Sequence, residues 1–438
     1  MLYLRIRLAF ASLLLCSSVA FAQAAGETIT ASGSKLSLRE AITATLAHNP
    51  QLSSFQFRRQ ALAGEMQTAA LKPELRLAAT AENIAGSGDY AGGKGAELTL
   101  ALSSVIELGD KRDARLGVIT ERQETQAIQQ QIAELDVLAE VTRRFIEVAS
   151  AQQLLALQQS TLALASETTR TIKNRVDAGN TPDAELARAQ ANQARANIEL
   201  RQAQLRFQTA KLKLSALWAG TTPDFTYVQA DLFSLGESRA LSDLLASLNQ
   251  NPDVQAFASE ARLRDAELRM AMSLRKADVE WSAGIRRLNA SDDSALVVGV
   301  SVPLFASQRA TGEIANARAN RLNVDNQHDA ALLQLRTQLT GLYQEREAAI
   351  YASTSLRDDV IPQLKKAVSG ARTALDKGRY GYLELSSAQH ELLDAEAALI
   401  AAATNAHLLR AEIERLSGAA TTASYFEQPV KPTKVVAP

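Results

Sequence analysis

Cysteine is all but missing from this chain of 438 residues; the single one is Cys16. A disulfide framework is therefore excluded, and so is a metal or redox centre built on thiolates. Histidine is scarce as well. His48, His328, His390 and His407 each stand alone on a helical pattern, without a partner at metal-ligand or triad spacing. With four methionines besides, a soft-metal relay has no ligands to run on. We therefore expect no catalytic residue, no resident cofactor or metal, and no enzyme. An excess of positive charge is also lacking: 47 basic residues face 48 acidic ones, so nucleic acid is not an expected partner. Beyond the N-terminus no run approaches 18 consecutive apolar residues, which argues against an inner-membrane helix. Proline (10) and glycine (21) are few. Alanine, leucine, glutamine, glutamate and arginine dominate instead, the usage of long helices.

The N-terminus has the grammar of a secretory signal. Arg5 and Arg7 precede an apolar run from Leu8 to Val19, and Ala20, Phe21 and Ala22 form an A-x-A cleavage site. Residues 1–22 are expected to be removed, taking Cys16 with them and leaving 45 basic against 48 acidic residues. A lipid anchor on Cys16 calls for a small residue before it, and Leu15 is there.

The remaining chain is written twice. Asn49-Pro50-Gln51-Leu52 recurs as Asn251-Pro252-Asp253-Val254, the run from Leu98 to Ile106 as Leu296 to Leu304, and Gly179 as Gly378. Each half has the order short helix, two strands, very long helix, turn, second long helix. The first covers 36–220, with strands at about 75–84 and 96–106 and a long hairpin at about 110–218. The second covers 242–417, with strands at about 278–286 and 295–304 and a hairpin at about 308–416. Residues 221–241 form a linker, and 418–438, with three prolines and no apolar period, form a tail expected to be disordered.

Each strand alternates. Leu98, Leu100 and Leu102 interleave with Thr99, Ala101 and Ser103; Leu296, Val298, Val300 and Val302 interleave with Val297, Gly299 and Ser301. About 10 residues is the length of a tilted membrane-spanning strand, with an apolar lipid face and a small or polar lumen face. A half-buried soluble sheet would alternate in the same way. Four strands cannot close a barrel, and an open edge is not tolerated in lipid. If the strands span a membrane, several chains must share the barrel, and three copies give 12 strands.

The segment 110–178 contains no proline and one glycine, Gly117, and as a helix would be roughly 100 Å long. Its counterpart, 308–377, holds Pro362, expected to kink or break it near the tip. The returning helices carry heptads: Leu186, Gln193, Leu200 and Phe207 with Ala189, Ala196, Ala203 and Ala210, and Leu385, Leu392, Leu399 and Ala406 with Ala388, Ala395, Ala402 and Leu409. Alanine at one seam position lets two helices approach closely. Helices at about 50–71 and 182–218 together match the long helix in length, so stacked end to end they could flank it throughout.

On this order of elements the chain resembles the outer-membrane factor, or TolC-like, family of tripartite efflux systems over about residues 36–417. The resemblance implies a mainly α fold with a membrane β-barrel: a homotrimer forming a 12-stranded barrel over an α-helical tunnel, in the outer membrane and reaching into the periplasm. Its implied partners are outer-membrane lipids, a periplasmic membrane-fusion adaptor and, through the adaptor, an inner-membrane RND pump. The segment from Glu107 to Arg115, E-L-G-D-K-R-D-A-R, resembles the CzcC-type channels of heavy-metal efflux, which usually carry a second glycine where Asp110 stands. On local grounds Gly109 ends the strand and Asp110 starts the helix. Passive exit of heavy-metal cations is the implied activity; drug efflux or protein secretion is the rival within the class, and a periplasmic coiled-coil adaptor the rival outside it.

Two turns carry the candidate site. Gly179 and Gly378 suit the left-handed position that ends a helix, and Thr181 and Pro182 suit an N-cap and first helical residue. By resemblance the tips Gly179, Asn180, Thr181, Gly378, Arg379 and Tyr380 dock the adaptor. Glu185 and Glu384 each lie six residues after a tip glycine. Either is a favourable first-turn carboxylate on a helix, or the two form a carboxylate ring that gates the pore. Glu384 matches the first of the family's gate acids, whereas Ser387 stands where the next is expected.

Overall fold

The computed structural model describes residues 35–418. The expected signal peptide lies outside the described residues, as does the expected tail beyond Gly418. The first half comprises β1 (Lys35–Leu36), α1 (Leu38–His48), α2 (Pro50–Ala69), β2 (Arg76–Glu82), β3 (Glu97–Ile106), α3 (Lys111–Asp177) and α4 (Asp183–Ser215). A connector holds β4 (Tyr227–Val228). The second half comprises α5 (Leu241–Ser247), α6 (Pro252–Ser273), β5 (Val279–Leu288), β6 (Asp293–Ser301), α7 (Ala306–Arg309), α8 (Thr311–Ser355), α9 (Ile361–Asp376) and α10 (Tyr382–Ser417).

The helices lie side by side as four columns. α2 and α4 flank α3; α6 and α10 separate α3 from α8 and α9. The short helices do stack end to end, and one asparagine makes each joint. Asn49 caps α2, its Oδ1 accepting from Gln51 N at 2.9 Å, while its Nδ2 donates to the Leu217 carbonyl at 3.0 Å just beyond α4. Asn251 caps α6 by accepting from Asp253 N at 2.8 Å and donates to the Leu416 carbonyl at 2.5 Å in α10. A proline follows each asparagine at the first helical position, where its missing N–H costs nothing. Arg415 clamps the second joint through both carboxylate oxygens of Asp253 and through Asp136 at 2.6 Å.

The expected linker is a packed element. β4 pairs in parallel with β1, and Phe225, Val228 and Leu232 are buried. Phe225 and Val228 join Val141, Phe145, Phe207 and Leu214 in the largest core cluster, at mid-height of the helical body. Elsewhere the seams are thin: Ala189, Ala196 and Ala203 of the predicted heptad are buried on α4.

Two local expectations need correction. Pro362 interrupts its helix through a π-turn, Leu356–Val360, well before the tip. Pro362 has no N–H to offer Asp358 and its ring crowds that carbonyl, so the widened turn is the relief. The two halves show the same thing by count: Ile106 matches Leu304, 198 positions on, whereas Gly179 matches Gly378, 199 on, and a π-turn absorbs one extra residue. At the start of α3, Asp110 is left-handed (φ 57°) and makes no side-chain cap. α10 has the length and mean composition of a membrane-crossing helix, but it packs as the return of the second hairpin, burying Leu385, Ala395, Ala403 and Ala406.

Candidate functional site

The sheet runs β2-β3-β5-β6, antiparallel throughout, and joins the two halves through β3 and β5. The register puts Leu77, Leu102, Ala283 and Val298 in one row, and Ala79, Leu100, Ile285 and Leu296 in the next. All the large apolar side chains in these rows are exposed, Leu296 at 76 % and Val298 at 67 %. The opposite face carries small residues at the same height. A methyl on Gly284 would sit 2.6 Å from the Leu100 carbonyl oxygen, so a side chain there would force the strands apart. Arg286 lies on that face and ties three strands, reaching Glu97 at 2.9 Å, Glu82 at 3.3 Å and Thr99 Oγ1 at 2.9 Å. An uncovered apolar face of this size costs on the order of 10–20 kcal/mol in water. Among the described residues, β2 and β6 leave both sheet edges unpaired.

The junction below the strands explains the Glu107–Arg115 motif. Arg115 forms a bidentate pair with Glu107, with one contact at 3.0 Å. Asp278 of the second half accepts from the Leu108 N–H at 3.0 Å and from Lys111 Nζ at 2.6 Å. Gly109 (φ 85°) sits where a methyl would come within 2.9 Å of the Ser273 carbonyl. Arg112 donates to the Ala70 carbonyl at 2.8 Å. The motif thus clips strand, helix and both halves together, with Asp278, 167 positions beyond Lys111, as the shared acceptor that no local pattern announces.

At the far end, Gly179 (φ 73°) and Gly378 (φ 67°) adopt the left-handed conformation. Asn180 N bonds the Arg175 carbonyl at 2.9 Å, and Arg379 N bonds the Ala374 carbonyl at 2.8 Å, closing each helix. Thr181 is not the cap: Pro182 occupies that position and α4 starts at Asp183. The two tips meet. Arg175 donates to the Leu375 carbonyl at 2.7 Å, and Arg372 pairs with Glu167. Asn192 Nδ2 donates to Tyr382 Oη at 2.7 Å and to Ser386 Oγ at 3.2 Å. Glu185 and Glu384 converge beside Gly381, where a methyl would lie 3.1 Å from Glu185 Oε1 and 3.5 Å from Glu384 Oε2. The two acids stand at matching positions of the repeat, whereas Tyr382 and Asn192, which hold the hairpins together, carry no signal in the repeat. Arg379 and Tyr380 are exposed at the second tip.

No group of three or more His, Cys, Asp or Glu side chains is placed to hold a metal ion among the described residues. His407 is buried in α10 and bonds the Leu232 carbonyl of the connector at 3.0 Å. Burial pushes its pKa down to about 4; the bond to Leu232 opposes this, while Arg410 and Arg346 reinforce it.

Residues 41–220 match the family model for outer membrane efflux proteins. The cobalt-zinc-cadmium resistance protein CzcC of Cupriavidus metallidurans is 25 % identical over 320 residues, 73 % of this chain and 77 % of that protein. The nickel-cobalt-cadmium resistance protein NccC of Alcaligenes xylosoxydans is 26 % identical over 236 residues, 53 % of each. In fold, the CmeC outer membrane channel of Campylobacter jejuni superposes with a TM-score of 0.71 at 15 % identity, over 87 % of this chain and 86 % of that one. The outer membrane efflux protein family is thus the one that residues 41–220 resemble, and the fold is shared with outer membrane channels over 87 % of the chain.

Proposed function

We propose that three copies of this chain close into one channel, a 12-stranded barrel in the outer membrane continued by a helical tunnel through the periplasm. The observation that carries this reading is the sheet: one face exposes an apolar band across all four strands, the other small and polar side chains, and both edges await a partner. An apolar face and open edges together are stable in lipid only when other copies complete the barrel. The helical layer repeats the argument, because among the described residues no helix packs outside α2 and α4 on one side or α8 and α9 on the other.

The exported substrates are heavy-metal cations, a reading supported by CzcC and NccC, whose names speak of cobalt, zinc, cadmium and nickel resistance. The tips around Gly179, Asn180, Thr181, Gly378, Arg379 and Tyr380 dock a periplasmic adaptor, which links the channel to an RND pump in the inner membrane. Glu185 and Glu384 converge within each chain, so three chains place six carboxylates near the tunnel end, a ring that favours cations.

Single-channel recording in planar bilayers, with crosslinked mass measured in parallel, tests the reading. Long-lived conductance from a trimer is expected; a monomer that stays in water and opens no pore overturns it. In the same assay Glu384→Gln should lower the preference for cations over anions, and unchanged selectivity and conductance would remove the gate role.

A further inference from the structure

Because the chain repeats itself, it contains a template for the contact between copies. Inside one chain, α3 packs on α10. α8 and α9 repeat α3, and α4 repeats α10, so the same geometry recurs between copies with α8 and α9 of one against α4 of the next. Exposed side chains agree with this. α4 shows Ile198, Leu205 and Leu212 seven residues apart on its outer face, and the opposite edge shows Tyr351 and Val360.

At one height the internal contact is apolar: Leu157 of α3 packs with Ile400 and Ala403 of α10. The matching positions differ in kind. Ile400 and Ala403 correspond to Arg201 and Gln204, and Leu157 falls at the head of the π-turn. That turn exposes Asp358 and Asp359, with Arg357 holding Asp358 at 2.9 Å. Arg201 is exposed too, and donates to Gln204 Oε1 at 3.2 Å. Charge follows the same division: α4 carries six basic and three acidic residues, whereas residues 311–360 carry five basic and seven acidic ones. The extra residue that the π-turn absorbs keeps the seam below it in phase and places its bulge, with both carboxylates, at this height.

We propose that the acidic π-turn of each copy seats on Arg201 of the next copy's α4, an electrostatic latch between subunits at mid-tunnel. The latch rests on the three-copy reading, and the test separates the two. The full-length chain is purified in detergent, since the expected mature form has no cysteine of its own. A control pair, Ala348→Cys with Leu205→Cys, reproduces between copies the internal contact of Ser150 and Thr404, whose hydroxyls lie 2.8 Å apart. It should crosslink into covalent trimers. Asp359→Lys or Arg201→Glu alone should shorten the half-life of the heat-resistant trimer about tenfold, since three exposed pairs are lost at once and like charges face each other. The double variant should recover most of the loss. Asp359→Asn and Arg201→Gln should act in the same direction but less, guarding against a reversal that fails to fold. If the control crosslinks but neither reversal changes the half-life, or the double variant does not recover it, the latch is wrong and the ring stands. If the control gives only monomers, the ring falls and the latch with it.

Discussion

The two halves of this molecule agree at their ends and differ in their middles. Asn49 and Asn251 make the same joint, and Gly179 and Gly378 the same turn. Between those points, α3 is an unbroken helix of 67 residues, whereas its counterpart is divided by the π-turn before Pro362. Core composition diverges as well. Phe145, Phe207 and Phe225 fill the cluster of the first half, while Leu244, Leu248, Leu339 and Ile413 fill one in the second. A duplicated helical hairpin can vary wherever a thin seam is its only constraint. It cannot vary where backbone groups must find partners, because each orphaned group costs about 1–3 kcal/mol.

The strands test whether the halves are equal where the proposed barrel would meet lipid. Leu100 and Val298 occupy matching positions on the exposed apolar face. Arginine at either should cost about 2–4 kcal/mol per chain at the bilayer centre, multiplied by three in the proposed trimer. Both variants should abolish heat-resistant trimers in outer-membrane fractions, and Thr80→Arg, on the opposite face, should not. Unequal damage from Leu100→Arg and Val298→Arg would mean that the halves sit at different depths.

His407 sharpens the contrast between middles. Its counterpart in the first half is Gln208, which is exposed. His407 has a folded pKa of about 4 against an ordinary 6.5. Between those values the unfolded chain binds a proton that the folded chain refuses, so stability falls as pH drops from about 6.5 and levels off below about 4. The full fall is on the order of 3 kcal/mol per chain. His407→Gln, which gives the second half the residue of the first, should flatten thermal midpoints between pH 7 and pH 4. Gln208→His should add no slope, since an exposed imidazole is solvated in either state.

Much of this was legible in the sequence because the signals are local. Alternation at Leu98–Leu102 marked the strand faces, proline-free length marked α3, and glycine position marked both turns. What was missed depends on groups distant in the chain. The connector looked like a linker because Phe225, Val228 and Leu232 lack any period; their burial comes from α3, α4 and α10. Asp278 reaches Lys111 across 167 positions, and Asn192 reaches Tyr382 across 190. Pro362 announced a break, but its form as a π-turn follows from the one-residue difference between halves, visible only once the repeats are aligned.

The asparagine joints give the smallest and most discriminating comparison. Each side chain serves two orphaned sets at once, the first N–H groups of one helix and the last carbonyls of another. Alanine removes both bonds and leaves the carbonyls beneath without a donor, at about 2 kcal/mol per chain. The two sites should not be equal. Asn251 is fully buried and reaches two carbonyls, Leu416 at 2.5 Å and Arg415 at 3.4 Å. Asn49 is 6 % exposed and reaches one. Arg415 adds to the difference: burial disfavours its charge, yet its bonds to Asp253 and Asp136 outweigh that and raise its pKa, so a shifted α6 would leave a committed cation misplaced. Asn251→Ala should therefore lower the thermal midpoint of the detergent trimer more than Asn49→Ala. Equal shifts would show that the cap alone carries the stability and that the bond to the returning helix adds nothing.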